Sequence, residues 1–220
     1  MSIRVVSFGV VMFAAVGAAS GGSILLNGGF ELGTGSVSDI WNQFAGGAAG
    51  TMSERSSMMP NTGDFSQRIV AVGAAGIGSA AGINQNSIDS AGFPSLAELT
   101  VVTASFSAKV DLGPGGVGFY ELKILNGEGA VVATSGLQNL NPSANYLSYN
   151  LAANVPAFGA APNDVYAAFL EVVVAAGAFD GSTASAFVDD AAVDGILVPG
   201  PSSLVALAFG TAGLARRRRR

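Results

Sequence analysis

The stretch "AELTVVTASFSAKVDLG", residues 97–113, decides the fold of this chain. From residue 102 to residue 111, apolar side chains alternate strictly with polar ones, and in an extended chain successive side chains point to opposite faces. This period of two predicts a β-strand with one face on a core and the other in water. The inward set comprises Val102, Ala104, Phe106, Ala108 and Val110.

A second strand is predicted shortly after the first. In "FYELKIL", residues 119–125, Tyr120, Leu122 and Ile124 form the inward set. Glu121 and Lys123 point outward. The segment "GPGG", residues 113–116, separates the two runs and predicts either a hairpin turn or a corner between sheets.

Further short strands are predicted along the chain, separated by Gly, Asn and Pro turns. The candidates are "DFSQRIVAV" (64–72), "VVATS" (131–135), "NYLSYNL" (145–151), "DVYAAFLEVVVAA" (164–176) and "SAFVDDAAV" (185–193). The fourth has an apolar pattern that also suits a helix, but its β-branched valines favour a strand. Many short strands between turns indicate an all-β, antiparallel β-sandwich.

Composition limits the classes of function. The chain has 220 residues, of which 50% are hydrophobic and 11% charged, so one domain with a real core is expected. Cysteine and histidine are both absent from the sequence. Disulfides, thiolate or imidazole catalysis and the usual zinc sites are therefore excluded.

The charge distribution argues against nucleic acid as a partner. The body of the chain keeps four basic residues against all fifteen acidic ones, a formal charge of −11. Such a body offers no basic surface for phosphate contacts. The four are Arg55, Arg68, Lys109 and Lys123.

The N-terminal segment has the layout of a secretory signal peptide. A positive charge at Arg4 precedes an apolar run from Val5 to about Ala19, which ends in small residues. An uncleaved anchor or a buried helix is the alternative interpretation. The predicted organisation is a signal peptide at 1–20, a β-sandwich at 21–197 and a separate segment at 198–220.

The last segment, "VPGPSSLVALAFGTAGLARRRRR" (198–220), predicts a short membrane helix. Pro199 and Pro201 prevent a helix from extending back into the body. The run 204–215 is apolar, and the five terminal arginines would hold that end on the cytoplasmic side. The body is then expected outside the membrane.

This combination resembles the PEP-CTERM sorting signal of exported bacterial proteins. In that family a Pro-Glu-Pro tripeptide precedes an apolar helix and an arginine cluster. The matching positions here are Val198, Pro199, Gly200 and Pro201, with Gly200 in place of the glutamate. The resemblance implies cleavage by an exosortase-type transpeptidase and a protein at the cell surface or outside it, anchored in the inner membrane either transiently or permanently.

The body resembles the jelly-roll family of carbohydrate-binding modules and galactose-binding-like domains. The motifs that carry this resemblance are "LLNGGFELG" (25–33), Trp41, "TGDFSQRIV" (62–70), "INQN" (83–86) and "SAFVDDAAVDG" (185–195). The resemblance covers nearly all of the body and implies a jelly-roll β-sandwich.

The same resemblance implies a structural calcium site joining the first and last strands. Its ligands would be Glu31 together with Asp189 or Asp190. Calcium prefers several hard oxygen ligands, which carboxylates and backbone carbonyls supply. The alternative is that these acids are exposed strand-end residues.

Sugar binding by such modules relies on exposed aromatic rings. The ligand-binding candidates are Trp41, Tyr146 and Tyr149, and Tyr120 and Tyr166 are further aromatic residues that the sequence offers. The alternative is that these rings belong to the core, as aromatic residues of β-sandwiches usually do.

The sequence therefore predicts an exported, non-enzymatic β-sandwich protein with a structural or adhesive role at the cell surface. The alternative is a carbohydrate-binding module that attaches to extracellular polysaccharide. A weak glycoside hydrolase is the third hypothesis, because paired carboxylates suffice for that chemistry. No residue is singled out as catalytic.

Overall fold

The structure, a computed structural model, describes residues 23–87, 95–157 and 165–198. The described ranges form strands and turns without a helix. In chain order the strands are β1 (Gly33–Thr34), β2 (Val37–Ser38), β3 (Asn42–Gly46), β4 (Met52–Ser56), β5 (Ser66–Val72), β6 (Ser79–Asn86), β7 (Ser95–Leu96), β8 (Val101–Leu112), β9 (Gly116–Leu125), β10 (Val131–Thr134), β11 (Gln138–Asn139), β12 (Ser143–Asn154), β13 (Ala167–Ala176), β14 (Thr183–Asp194) and β15 (Leu197–Val198).

Two large antiparallel sheets form the sandwich, which confirms the predicted fold class for this part of the chain. One sheet has the order β10-β9-β13-β6-β3, with β11 also paired to β9. The other has the order β12-β8-β14-β5-β4. Two small pairs, β1-β2 and β7-β15, lie outside them. The predicted signal helix and C-terminal membrane helix lie outside the described residues.

The core lies between the two sheets, and the alternation of the sequence places it there. All five predicted inward residues of β8 are buried, as are Tyr120, Leu122 and Ile124 of β9. The rings of Phe106, Tyr120 and Tyr149 meet in its centre, with each pair of ring centroids 5.1 Å apart. Strand β13 is equally apolar, which confirms the choice of strand over helix for residues 167–176.

The "GPGG" segment is a corner and not a hairpin. It connects β8 of the five-stranded sheet to β9 of the six-stranded sheet, so the chain changes layers there. The backbone N–H of Gly113 donates to the carbonyl oxygen of Thr183 at 2.9 Å, which ties the corner to the start of β14.

Strand β14 lies in the middle of the five-stranded sheet. It pairs with β5 on one side and β8 on the other, and its pairing with β8 shifts register between Asp189 and Ala192. Asp190 has a φ of 53° at this bulge, a conformation that few residues other than glycine adopt. A bulge of this kind re-aims side chains, and here it affects the two predicted acids.

Candidate functional site

The three predicted acids come together around one loop, residues 57–65, between β4 and β5. Asp189 is fully buried under this loop, and one of its carboxylate oxygens accepts the backbone N–H groups of Asn61 (2.7 Å) and Thr62 (3.1 Å). Its other oxygen accepts the N–H of Asp190 at 2.8 Å. Burial raises the pKa of Asp189, while these three N–H donors oppose that rise.

Asp190 and Glu31 bind the same loop from two further directions. Asp190 accepts hydrogen bonds from the side-chain amide of Asn61 (2.6 Å) and from the hydroxyl of Thr62. Glu31 accepts the backbone N–H groups of Asp64 (2.9 Å) and Phe65 (3.1 Å) through one carboxylate oxygen. The acids therefore fix the loop to both the start and the end of the domain.

Hydrogen bonds within the protein account for the positions of the three acids. The carboxylate oxygens nearest the loop already accept N–H and O–H donors from it. Across residues 23–87, 95–157 and 165–198, no group of three or more acidic side chains is placed to hold a metal ion. The calcium site that the resemblance implies stays a prediction.

Two of the three predicted sugar-stacking residues are buried, which corrects that prediction. Trp41 is 5% exposed, its ring lies 5.1 Å from that of Phe30, and its Nε1–H donates to the carbonyl of Asn27 at 2.9 Å. Tyr149 is also 5% exposed and stacks on Phe106. Both rings are held on all sides by protein, so neither presents a face to a ligand.

Tyr146 is the predicted aromatic residue that does reach a cavity. It is half-buried on β12, and its hydroxyl donates to the carbonyl oxygen of Met59. Burial, with smaller contributions from the charges of Asp189 and Asp190, raises the pKa of Tyr146 to about 12. At neutral pH the hydroxyl is thus protonated and remains a donor.

A second surface of interest is the outer face of the six-stranded sheet. The strand pairing places Phe44, Gly82, Val173 and Phe119 in one row across β3, β6, β13 and β9. The next row holds Asn42, Asn84, Glu171 and Glu121, and a third holds Asn86, Phe169 and Lys123. We call this surface the aromatic–polar face.

Phe44 lies flat on this face because the residue opposite it has no side chain. A Cβ built on Gly82 would lie 2.5 Å from Cζ of Phe44, so the ring occupies the space above the glycine. Phe119 is three strands away, about 14 Å at the usual spacing between strands. Both rings are half-buried, as expected of rings with one face on the sheet and the other toward solvent.

An ion-pair bridge stands beside these rings. Nζ of Lys123 lies 2.7 Å from Oε2 of Glu171 and 3.4 Å from Oε2 of Glu121, and 5.4 Å from the ring centroid of Phe169. Burial alone would lower the pKa of Lys123, but the hydrogen bond and charge of Glu171, aided by Glu121, raise it. The two glutamates thus share one ammonium group, and are not an open carboxylate pair across a cleft as glycoside hydrolysis requires.

The three phenylalanines of the aromatic–polar face are not among the residues that the sequence predicts to bind a ligand. A signal was present for Phe119, because the alternation that places Glu121 and Lys123 outward also places Phe119 outward. Phe44 and Phe169 had no comparable signal, since β3 was not predicted and β13 is apolar on both faces.

The predicted sorting motif cannot be placed in the same way. Val198 ends β15, and Pro199, Gly200 and Pro201 lie outside the described residues together with both predicted terminal helices. The described part of the chain contains no helix with the length and hydrophobicity that a membrane span needs.

No protein-family model matches the chain, and no curated protein matches its sequence. Solved structures match its fold. The enzymatically active domain of tailspike protein 4 from bacteriophage CBA120 has a TM-score of 0.57 at 18% identity, over 79% of this chain and 21% of that one. An arabinose-bound α-L-arabinofuranosidase has a TM-score of 0.54 at 13% identity, over 82% of this chain and 27% of that one.

A tandem of two carbohydrate-binding modules, CBM22-1 and CBM22-2, from Paenibacillus barcinonensis matches with a TM-score of 0.50 at 12% identity, over 84% of this chain and 49% of that one. This chain thus spans between a fifth and a half of the length of these three structures. At such identities the likeness concerns the fold alone. The chain has the β-sandwich fold that carbohydrate-binding modules also have.

Proposed function

We propose that the body of this protein is a non-catalytic carbohydrate-binding module whose ligand lies across the aromatic–polar face. One observation carries the proposal: a row of apolar side chains that includes Phe44 and Phe119 runs beside a row of amides and carboxylates. Sugars present both an apolar ring face and a rim of hydroxyl groups. A surface that pairs these two rows complements both.

The polar row supplies hydrogen-bonding groups of both kinds. The amides of Asn42 and Asn84 carry donors and acceptors, and the carboxylates of Glu121 and Glu171 are acceptors for hydroxyl groups. The ion pairs of Lys123 hold both carboxylates in fixed positions. Fixed groups lose little freedom when a ligand binds, which favours affinity.

The fold adds support, since carbohydrate-binding modules are among the structures that share it. A purely structural or adhesive role, the function expected first from the sequence, would not need the paired rows of the aromatic–polar face. The carbohydrate-binding alternative accounts for them and is therefore the function we put forward. A net charge of −11 on the body favours neutral glycans over polyanionic ones.

The test is binding of soluble neutral polysaccharides and of xylohexaose and β-1,4-galactotriose, measured by affinity electrophoresis and calorimetry. Replacing both Phe44 and Phe119 by Ala is expected to weaken binding at this face about tenfold or more, a loss of about 1.4 kcal/mol. Leu99→Ala is the control, because it removes a side chain that is 77% exposed on the turn before β8, a strand of the other sheet. Binding that survives the double substitution unchanged at this face would refute the proposal.

The ends of the chain carry a separate part of the proposal, which rests on sequence alone. We propose that the protein is exported through residues 1–20 and held or released through the PEP-CTERM-like segment at 198–220. The sandwich would then meet its glycan outside the inner membrane. The partner at this step would be an exosortase-type transpeptidase.

A further inference from the structure

We propose a second glycan-binding site on the opposite side of the sandwich, in a groove on the outer face of the five-stranded sheet. The site goes beyond the function proposed above and does not depend on it, since it uses a different sheet. Together with the site proposed above, this groove would let one copy of the domain hold two glycan chains, one on each sheet.

The groove has the size of a ligand site. Its main part has a volume of about 530 Å³ and lies over β8 and β14, beside the start of β12. A neighbouring part of about 490 Å³ continues past Met59 and Lys109 toward Tyr146. Both volumes fall within the range of about 300–1,000 Å³ that is usual for small-molecule sites.

The floor of the groove combines an aromatic ring with hydrogen-bond donors and acceptors. Phe187 of β14 lies directly opposite Lys109 of β8, and Ser185 lies opposite Asp111. A sugar ring placed over Phe187 would have an ammonium donor on one side, and the carboxylate of Asp111 as an acceptor within reach. The hydroxyl groups of Ser185 and Ser143 complete the lining.

The ammonium group of Lys109 can donate hydrogen bonds to a ligand. Its Nζ contacts Sδ of Met59 at 3.4 Å, a weak acceptor. The other basic side chains of the described sandwich have acidic or carbonyl partners, whereas Lys109 forms no ion pair with any residue in these ranges. A neutral hydroxyl group would be a better acceptor for this ammonium than a thioether.

The wall of the groove is held in place before any ligand arrives. Met59, Pro60 and Asn61 belong to the loop that Asp189 and Asp190 fix by hydrogen bonds. Tyr146 closes the opposite wall by donating to the carbonyl of Met59. Asp189 and Asp190 therefore fix one wall of the groove in advance of ligand binding.

The ligand class follows from the charges around the groove. Asp111 is exposed in the groove, and Asp189 and Asp190 lie behind its wall, within a body of formal charge −11. Polyanionic glycans would be repelled by these groups. A neutral glycan has an apolar ring face that can stack on Phe187. Its free hydroxyl groups can accept from Lys109 and donate to Asp111.

The experiment counts sites with xylohexaose and β-1,4-galactotriose as probes, by calorimetry on the purified protein. We expect two sites per chain for the probe that binds. One site should remain after the double substitution Phe187→Ala and Lys109→Met. One should also remain after the double substitution Phe44→Ala and Phe119→Ala, and none when all four changes are combined.

A variant that fills the groove shows whether a lost site reflects lost binding or lost folding. Ala144→Trp adds a bulky side chain at an exposed position of the groove rim and leaves the floor intact, so it should remove the same site without lowering the melting temperature. A stoichiometry that neither groove variant changes, or no binding of either probe, would overturn the proposal. If only the groove binds, the function proposed for the aromatic–polar face fails and this one stands.

Discussion

Gly63 sits where the loop meets Glu31, and a side chain there would break the contact. Its φ is 61°, and a Cβ would lie 2.2 Å from Oε1 of Glu31, the oxygen that accepts the N–H groups of Asp64 and Phe65. Gly35 has nearly the same φ, 60°, with open space around it. The two glycines share a backbone conformation and differ in what surrounds them.

We therefore expect Gly63→Ala to lower the free energy of unfolding by about 1–3 kcal/mol more than Gly35→Ala does. Both substitutions place alanine at positive φ, which costs about 1 kcal/mol, so the difference reports the lost carboxylate contact. Denaturant unfolding of the two variants measures it. Equal losses would mean that the Glu31 contact contributes nothing to stability.

At this scale the sequence predicted which acids would meet but not which aromatic rings would face solvent. The family resemblance groups Glu31 with Asp189 or Asp190, and the structure brings all three to one loop. Trp41 is a candidate because carbohydrate-binding modules rely on exposed aromatic rings, but residue type does not tell a buried ring from an exposed one. Its partner Phe30 comes from a segment with no strand pattern, so their contact could not be read from periodicity.

At the scale of elements, the loop 57–65 is held by hydrogen bonds to acids from both ends of the domain. Because loop N–H and O–H groups already occupy the carboxylate oxygens, we expect equal melting temperatures in calcium and in chelator. Differential scanning fluorimetry under the two conditions measures this. A rise of several degrees with calcium would restore the calcium site that the resemblance implies.

Long alternating strands could be predicted, whereas the short strands β3 and β4 and the change of layer at "GPGG" could not. The pattern of β8 and β9 placed every inward residue correctly because half-buried strands need a period of two. Strands β3 and β4 lack that pattern, since their pairing depends on partners far along the chain, such as Gly82 under Phe44. The "GPGG" corner fits a hairpin equally well until the sheets on its two sides are known.

At the scale of the whole molecule, the proposed export and sorting segments at the two ends of the chain can be tested directly. We expect protein recovered from its native cells to lack both the first ~19 residues and the segment after about residue 199. Intact-mass spectrometry measures this directly. A mass lacking only the N-terminal segment would make the C-terminal segment a lasting anchor, and substitution of Gly200 by Glu should then promote its removal.

The central position of β14 has a consequence for how the molecule acquires its structure. Without residues 183–194, the five-stranded sheet separates into β4-β5 on one side and β8-β12 on the other, with no pairing between them. The N-terminal segment also needs β14 to be in place, because the N–H of Ile24 donates to the carbonyl of Val193 at 2.7 Å. Contacts so distant along the chain form slowly and late. In a polypeptide emerging from a ribosome or a translocation pore N-terminus first, the five-stranded sheet would therefore stay incomplete until this last long strand emerged.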